Sequence, residues 1–554
     1  MRAIRVLIAV GVGVALADAS IVTLALPEIL IDLDTGVEGV AAVIGVYTLA
    51  LAVALPLAAW GRRAVADPVL CAAGFALFGV AGAFCAAADS LEAMLIFRVL
   101  QAVGAAAALV GGFAILGWSR LWVAAAVFGI AAGPAVGGAL TQAFDWRAIF
   151  EFQVPVALVA AVAAAAAAAL PSRAAAAGHA ADGDARGVIA GRAGAYVALA
   201  AVSAALTGVL FLLVLLLVSG WSLDPLTAAV AVSVLPVGAL AGARVPGPAA
   251  VRASAGCALV GGGVLALAFL PGATVAWILA PQVLAGLGMG MALPALAGEL
   301  LPERTPGEAA GLLSIRHAGI TVALVVLAPI AAGQLDSTVA DVREQGAALV
   351  LDARLPPLDK IELAGPLVAD LDPADPRDGL KRALDAQAHR FAGDPAAAAE
   401  YARLTERADE TLVGAIDDAF RIAFLVTGGL ALLGAAAVLP RRRRALAVVA
   451  AVAAGALALP ALHAAVRPGI APEPVVIADP CADRDVPDTG GIDGFLQDRA
   501  LEALDSAACR LGSSREALAL ALADEDEARA YERRYGVDPR SLGGILEGLG
   551  LSLG

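Results

Sequence analysis

Two charged side chains stand inside apolar sequence, where charge is expensive. Asp18 falls midway along such a run, in Ala17-Asp18-Ala-Ser-Ile-Val-Thr23-Leu-Ala-Leu-Pro27, and Arg98 opens Arg98-Val-Leu-Gln101-Ala-Val-Gly104 in another. An ionisable group at the centre of a bilayer costs roughly 2.5–3.5 kcal/mol on insertion scales, so each should face a cavity or a partner. Asp18 has two readings: a structural hydrogen bond to a neighbouring helix, or a carboxylate that loads and releases a proton. Arg98 and Gln101 share a helical face at i, i+3. Both charges fall toward the same end of their helices, so an ion pair between them is within reach. It would serve packing alone, or shift when Asp18 takes a proton. A second candidate is Arg316-His317, near the start of a later apolar run. A histidine titrates near neutral pH, although a lone one near a helix start is more often structural. Cys481 and Cys509 are the two cysteines of the polar tail, and a disulfide is the natural reading if that tail faces outside. Cys71, Cys85 and Cys257 sit in apolar runs and read as small hydrophobes. No metal-spaced Cys/His cluster, nucleotide loop or nucleophile elbow is found, so neither a metal nor a cofactor is expected.

The elements that must position these groups are membrane helices. Apolar spans fall near 4–28, 37–60, 69–88, 93–118, 121–143, 148–170, 195–220, 225–243, 253–272, 276–301, 309–334, 419–439 and 445–466. Each is long enough for a hydrocarbon core of about 30 Å. The order is six spans, an Ala/Gly/Arg-rich linker, six more and one extra. The fifth span carries Gly129-Ile-Ala-Ala-Gly133-Pro134-Ala-Val-Gly137-Gly138. Pro134 removes a backbone donor and kinks the helix, while the glycines let neighbouring helices approach at backbone distance.

Composition agrees. Sixty per cent of the 554 residues are hydrophobic and the mean hydropathy is +0.84, far outside the soluble range. The net charge of -14 is concentrated in two polar segments. Residues 336–418 hold eighteen acids against nine bases, and residues 467–554 hold seventeen against nine. Nothing in that pattern suggests nucleic acid. Arginines 2, 5, 62, 63, 120, 173, 186, 192, 244, 252, 304 and 441–444 all fall on the inner side when the N-terminus is inside. Thirteen spans then put both acidic segments outside. In the insert, prolines 356, 357, 366, 373, 376 and 395 predict several short helices; in the tail, a helix starts near Gly491. Ser513-Ser-Arg-Glu516 reads as a capping box, Asp538-Pro539 as a break, and a short Leu-rich helix ends the chain.

The pattern Gly-x-x-x-Gly-Pro-x-x-Gly-Gly closing on Asp145-Trp146-Arg147 resembles the antiporter motif in the fifth helix of major facilitator superfamily exporters. Asp18-x-x-Ile-Val-x-x-Ala-Leu-Pro resembles the first-helix motif of the drug:proton antiporter branch, and Arg98-x-x-Gln101-Ala-x-Gly104 its fourth-helix motif, with Ala102 in place of the first glycine. Leu210 to Pro236 is similar to the multidrug exporters' matching helix pair, without their glutamine. Gly286-Leu-Gly-Met-Gly-Met-Ala-Leu-Pro294 is similar to their tenth span. Residues 310–319 stand at an Arg-Gln-x-Gly-like segment. The loop Trp60-Gly61-Arg62-Arg63-Ala-Val-Ala-Asp67 is shorter than the superfamily's and has no acid before its arginines. The resemblance covers roughly residues 1–335 and 419–440.

It implies an all-α polytopic membrane protein. The facilitator fold of two six-helix halves is extended by a C-terminal transmembrane helix and two outer helical segments. The expected divisions are 1–170, the N-terminal half; 171–194, a cytoplasmic linker; and 195–440, the C-terminal half with insert 336–418. A basic loop and thirteenth helix at 441–466 and an extracytoplasmic segment at 467–554 follow. It implies no enzyme, but proton-coupled export of small lipophilic or amphipathic compounds across a bacterial cytoplasmic membrane. Asp18, Arg98 and Gln101 would couple protons, the Gly129–Gly138 motif would form a tight helix face, and Arg316 and His317 would be secondary coupling residues. Partners are then substrate, protons, membrane lipid, and an envelope component or protein for the outer segments. The competing reading is a facilitator-derived receptor or assembly scaffold that no longer transports.

Overall fold

The computed structural model describes residues 2–168, 192–356, 359–360, 363, 376–482 and 491–541, and among these it contains helices and no strands. The linker around 171–190, prolines 357, 366 and 373, and the chain end beyond 541 lie outside the described residues. In hydrocarbon every backbone polar group must be satisfied internally, so each apolar run closes its own hydrogen bonds as a helix. The first eight helices in order are α1 (Arg2–Thr23), α2 (Leu26–Asp32), α3 (Val37–Gly61), α4 (Asp67–Ala86), α5 (Leu91–Leu116), α6 (Arg120–Ala143), α7 (Arg147–Ala168) and α8 (Ala193–Leu215). There follow α9 (Pro225–Val232), α10 (Val234–Gly242), α11 (Ala249–Leu267), α12 (Val275–Leu300), α13 (Pro306–Asp352), α14 (Pro376–Ala388), α15 (Pro395–Ala437) and α16 (Arg443–Val466). The tail adds α17 (Gly491–Leu511), α18 (Arg515–Ala523) and α19 (Glu525–Tyr535). Twelve helical stretches are long and apolar enough to cross a bilayer, and α6, bent by 49°, makes thirteen.

Several boundaries differ from those read in sequence. The first span ends at Thr23, because Pro27 sits in the opening turn of α2, where its missing N–H would be unpaired anyway. Among the described residues, the insert is not a string of short helices alone. Helix α13 continues to Asp352 and α15 begins at Pro395, so the flanking membrane helices themselves extend into it, while Pro376 and Pro395 open helices. The capping residue of α18 is Ser514, whose hydroxyl accepts from the Ala517 amide, whereas Glu516 turns to Arg515. The break expected at Asp538-Pro539 comes earlier, with a new cap at Asp524 and a left-handed Gly536 closing α19.

Small residues let the membrane helices meet at backbone distance, and the contacts repeat. A methyl added to Gly74 of α4 would overlap the α5 backbone at Ala108, and one on Gly104 of α5 would meet α4 at Gly74 and Phe78. In the second set of spans, Gly256 of α11 meets α12 at Gly288 and Ala292, and Gly288 meets Gly256 and Val260. The correspondence Gly74, Phe78, Gly104, Ala108 to Gly256, Val260, Gly288, Ala292 fixes the register of two parallel repeats. Helix α16 lies outside that pattern. It touches α11 where Ala456 meets Gly262 and where His463 Nδ1 lies 3.1 Å from the Ala266 carbonyl oxygen, and most of its remaining surface is apolar and uncovered.

The chain divides into two compact units. The first contains residues 1–218, 223–332 and 420–470, and so holds the spans. The second contains residues 219–222, 333–419 and 471–554, so the two acidic segments, separate in sequence, fold together. Arg343 Nη1 donates to Glu527 at 2.9 Å, Arg515 Nη2 donates to Asp352 at 2.6 Å, and Ser514 donates to Glu344. Arg377 grips Asp409 through two bonds of 2.7 and 2.8 Å, and that carboxylate's hydrogen bonds raise the guanidinium's already high pKa. A small core of Ala508, Leu518, Ala521, Ala528 and Tyr531 closes the tail helices.

Candidate functional site

Asp18 and Arg98 meet. The Arg98 guanidinium donates Nη1 to Asp18 Oδ1 at 3.0 Å and Nη2 to Oδ2 at 2.7 Å, and both side chains are wholly buried. This two-pronged geometry matches the planar fork of arginine to a carboxylate. Two further donors are used: Nε reaches the Val43 carbonyl of α3 at 3.2 Å, and Nη1 reaches Gln101 Oε1 at 2.7 Å. Gln101 passes the chain on, donating Nε2 to Gln153 Oε1 of α7 at 3.0 Å. Tyr47 lays its ring 4.1 Å from the guanidinium carbon and Phe150 lies 5.5 Å away, an aromatic cradle for the cation. One network thus ties α1, α3, α5 and α7.

The glycine motif forms a seam. Methyls added at Gly129 and Gly137 would overlap the α1 backbone at Gly13 and Ile21, and one at Gly133 would overlap the Ser20 hydroxyl. Gly138 turns the other way, toward Pro225 and Ala229 of α9. Pro134 lies within the bent α6, as a proline in a helix interior requires. Just beyond, Asp145 caps α7 by accepting from the Arg147 and Ala148 amides. Trp146 Nε1 and Arg147 Nη1 both donate to Asp32 at the end of α2, at 3.0 and 2.7 Å. The Arg147 hydrogen bond, joined by that of Trp146, holds the Asp32 carboxyl below the usual aspartate range.

Beside α1 the spans enclose a cavity of about 80 Å³, lined by Ser20, Pro134, Ser203, Gln282, Arg316 and His317 among others. His317 Nδ1 lies 2.7 Å from the Leu313 carbonyl oxygen, one turn back on its own helix. Next to it, Thr321 hydrogen-bonds Thr48 of α3 at 2.9 Å, and Ser314 donates to the Ala52 carbonyl at 2.5 Å, joining the two sets of spans. Asp18 and Arg98 do not line this cavity. In the short loop after α3, Arg62 pairs with Asp67 at 2.6 and 2.9 Å, so the acid of that loop follows its arginines. In the other unit, Cys481 and Cys509 are joined, with Cα atoms 5.0 Å apart.

The family model described as Major Facilitator Superfamily matches residues 8–326. The chain belongs to the major facilitator superfamily. Its facilitator fold is similar to the inward-facing structures of a bacterial homologue of the human lysosomal transporter Spinster. The unoccupied form gives a TM-score of 0.51 at 14% identity, covering 79% of this chain and 97% of that one; the occupied form gives 0.52 at 13%, covering 78% and 96%. Among curated relatives, the facilitator is 32% identical over 168 residues to multidrug resistance protein Stp of Mycobacterium tuberculosis (strain CDC 1551 / Oshkosh), covering 27% of this chain and 30% of Stp. It is 32% identical over 157 residues to the multidrug export protein EmrB of Haemophilus influenzae, covering 26% and 30%. It is 25% identical over 167 residues to the riboflavin transporter RibZ of Clostridioides difficile, covering 28% and 37%. The facilitator thus spans about a third of the length of these relatives.

Tyr47, Gln153 and Gln282 were missed by sequence reasoning. Tyr47 and Gln153 are unremarked polar tips in apolar spans. Gln282 had a readable signal: in the repeat register set by the glycines it occupies the eighth position of a 26-residue helix, as Arg98 does.

Proposed function

We propose that this facilitator is a proton-coupled exporter of small amphipathic compounds that works by alternating access between two six-helix halves, residues 1–170 and 195–440. What carries the reading is the buried, two-pronged Asp18–Arg98 pair backed by Gln101 and Gln153. A carboxylate so held exchanges a proton only when the helices around it move, which links protonation to conformation. Taking a proton frees Arg98 from its counter-charge, and the network across α1, α3, α5 and α7 then has reason to rearrange. The Gly129, Gly133 and Gly137 seam supports a leak-tight face between α1 and α6, and the multidrug relatives support export of apolar-bodied compounds. Arg316 and His317 line the cavity rather than join the network, so we place them in substrate handling before coupling.

The N-terminus is inside and both acidic segments are outside in a bacterial cytoplasmic membrane. Arginine placement favours this; the joint folding of insert and tail supports their sharing one side, since it requires an even number of crossings between them and α15 and α16 supply two. Outside, the Cys481–Cys509 pair would persist oxidised, and the insert–tail unit would be free to meet an envelope component or protein.

The test is substrate-triggered proton flux in proteoliposomes, with Asp18→Asn and Asp18→Glu beside the wild type. Flux abolished by Asp18→Asn and partly restored by Asp18→Glu is expected. Absence of flux from folded wild-type protein, across a panel of dyes and drugs, would favour the non-transporting receptor or scaffold, which the large insert–tail unit motivates.

A further inference from the structure

The central cavity holds polar groups that the protein leaves without partners. Gln282 is 1% exposed, and neither its Nε2 nor its Oε1 has a hydrogen-bond partner. Ser203 Oγ, from the facing helix α8, is likewise buried and unsatisfied. Leaving such groups unpaired in a buried site is unfavourable, and each instance calls for a reason. Arg316 projects from α13 into the same space, and among the described residues it has neither a carboxylate nor a hydrogen-bond partner. Among the described residues, no aspartate or glutamate lines the cavity. The one acid in the adjoining span, Asp18, is fully committed to Arg98. The cavity therefore carries one uncompensated cation, an amide and a hydroxyl, set in a wall of Leu16, Leu206, Leu210, Leu213 and Leu293.

The repeat register sharpens the contrast. At the position of Arg98 in the first repeat, whose charge is cancelled within the protein, the second repeat has Gln282, which is open to the cavity. One half thus encloses an ion pair, while the other presents donors and an unanswered charge. An arginine inside a membrane protein stays protonated and is rarely left without a counter-charge, so an unanswered one is a candidate site for an anion.

We propose that the cavity takes a small amphipathic anion, its acidic group held by Arg316 and Gln282 with Ser203 in support, and its apolar body against the leucines. This rests on the export reading for the direction of transport, but binding itself does not depend on proton coupling. Arg316 supplies the charge and the fork that fits a carboxylate or sulfonate edge. Gln282 adds an N–H donor, and its carbonyl oxygen accepts from a hydroxyl or protonated group of the ligand or from Ser203.

The test is equilibrium binding to the full-length protein in maltoside micelles, without any gradient. Two matched trios are compared: benzoate, benzyl alcohol and benzyltrimethylammonium, and 2-naphthoate, 2-naphthylmethanol and 2-naphthyltrimethylammonium. The carboxylate of at least one trio is expected to bind at least tenfold tighter than its alcohol, with the ammonium failing to compete. Arg316→Gln is expected to lose tenfold or more in carboxylate affinity and leave the alcohol unchanged. Gln282→Leu is expected to weaken the carboxylate several-fold while keeping its preference over the ammonium. An ammonium that binds as well as its carboxylate, no binding of either carboxylate, or an Arg316→Gln protein of wild-type thermal stability that binds carboxylate as before would each overturn the proposal. A protein that binds carboxylate but gives no proton flux would refute the coupling and leave this site standing.

Discussion

At the scale of single residues, the Asp18–Arg98 pair sets a stability question apart from any transport. A buried ion pair is weak evidence of net stabilisation, because desolvation offsets much of the attraction, yet stripping one partner is costly. Asp18→Leu leaves a guanidinium that cannot shed its proton, with only Val43, Gln101 and the Tyr47 and Phe150 rings to answer it. That variant is expected to lose about 3–5 kcal/mol in denaturant unfolding measured in mixed micelles. Combining Asp18→Leu with Arg98→Met should recover most of that loss, since no charge is then stranded. A double variant as unstable as the single would show that the pair is not what holds these helices. Both partners were legible in the sequence, since a charge in an apolar run is conspicuous. Gln153 and Tyr47 were not, because an amide or phenol in a span raises no alarm until a partner is seen beside it.

At the scale of elements, the α1–α6 seam rests on glycines whose value is the absence of a side chain. Gly133→Ala and Gly137→Ala would drive a methyl into Ser20 and into the Ile21 carbonyl, and neither backbone can retreat without opening the seam. Each is expected to cost about 1–3 kcal/mol by overpacking and to make proteoliposomes leak protons without substrate. Gly45→Ala in α3 is the control: it has open space at its Cβ, so the change should be neutral or stabilise by up to about 1 kcal/mol through helix propensity. Passive proton leak separates the two classes; equal leak in all three variants would dismiss the seam as a seal. The spans and this motif could be read from apolarity and spacing alone. The end of α1 and the cap of α18 could not, because Pro27 fits a helix start as well as an interior kink, and Ser513 and Ser514 compete as caps. Local geometry decides both.

At the scale of the whole molecule, the informative finding is that the insert and tail form one unit. Sequence patterns marked both segments as helical, with boundaries that the structure moves, but their union depends on contacts such as Arg343–Glu527 and Arg515–Asp352, which join residues more than 160 positions apart and leave no local trace. Two consequences can be measured. Both segments must share one side of the membrane, so Glu406→Cys in the insert and Glu532→Cys in the tail, both exposed positions, should react alike with an impermeant maleimide on intact cells. The buried Cys71, Cys85 and Cys257 leave the background silent. Both reacting is expected from the arginine pattern; one reacting and the other not would dismantle the unit. The second consequence concerns Cys481 and Cys509, 28 residues apart. Closing a loop of that length restricts the unfolded chain by about 3–4 kcal/mol in the entropic description. Reduction, or Cys509→Ser, should therefore lower the unfolding midpoint of the insert–tail unit, read as faster hydrogen exchange in α17 to α19, while exchange in the Asp18–Arg98 helices stays as it was. Equal loosening of both would mean that the membrane spans depend on this domain for their stability, which the separate cores of the two units argue against.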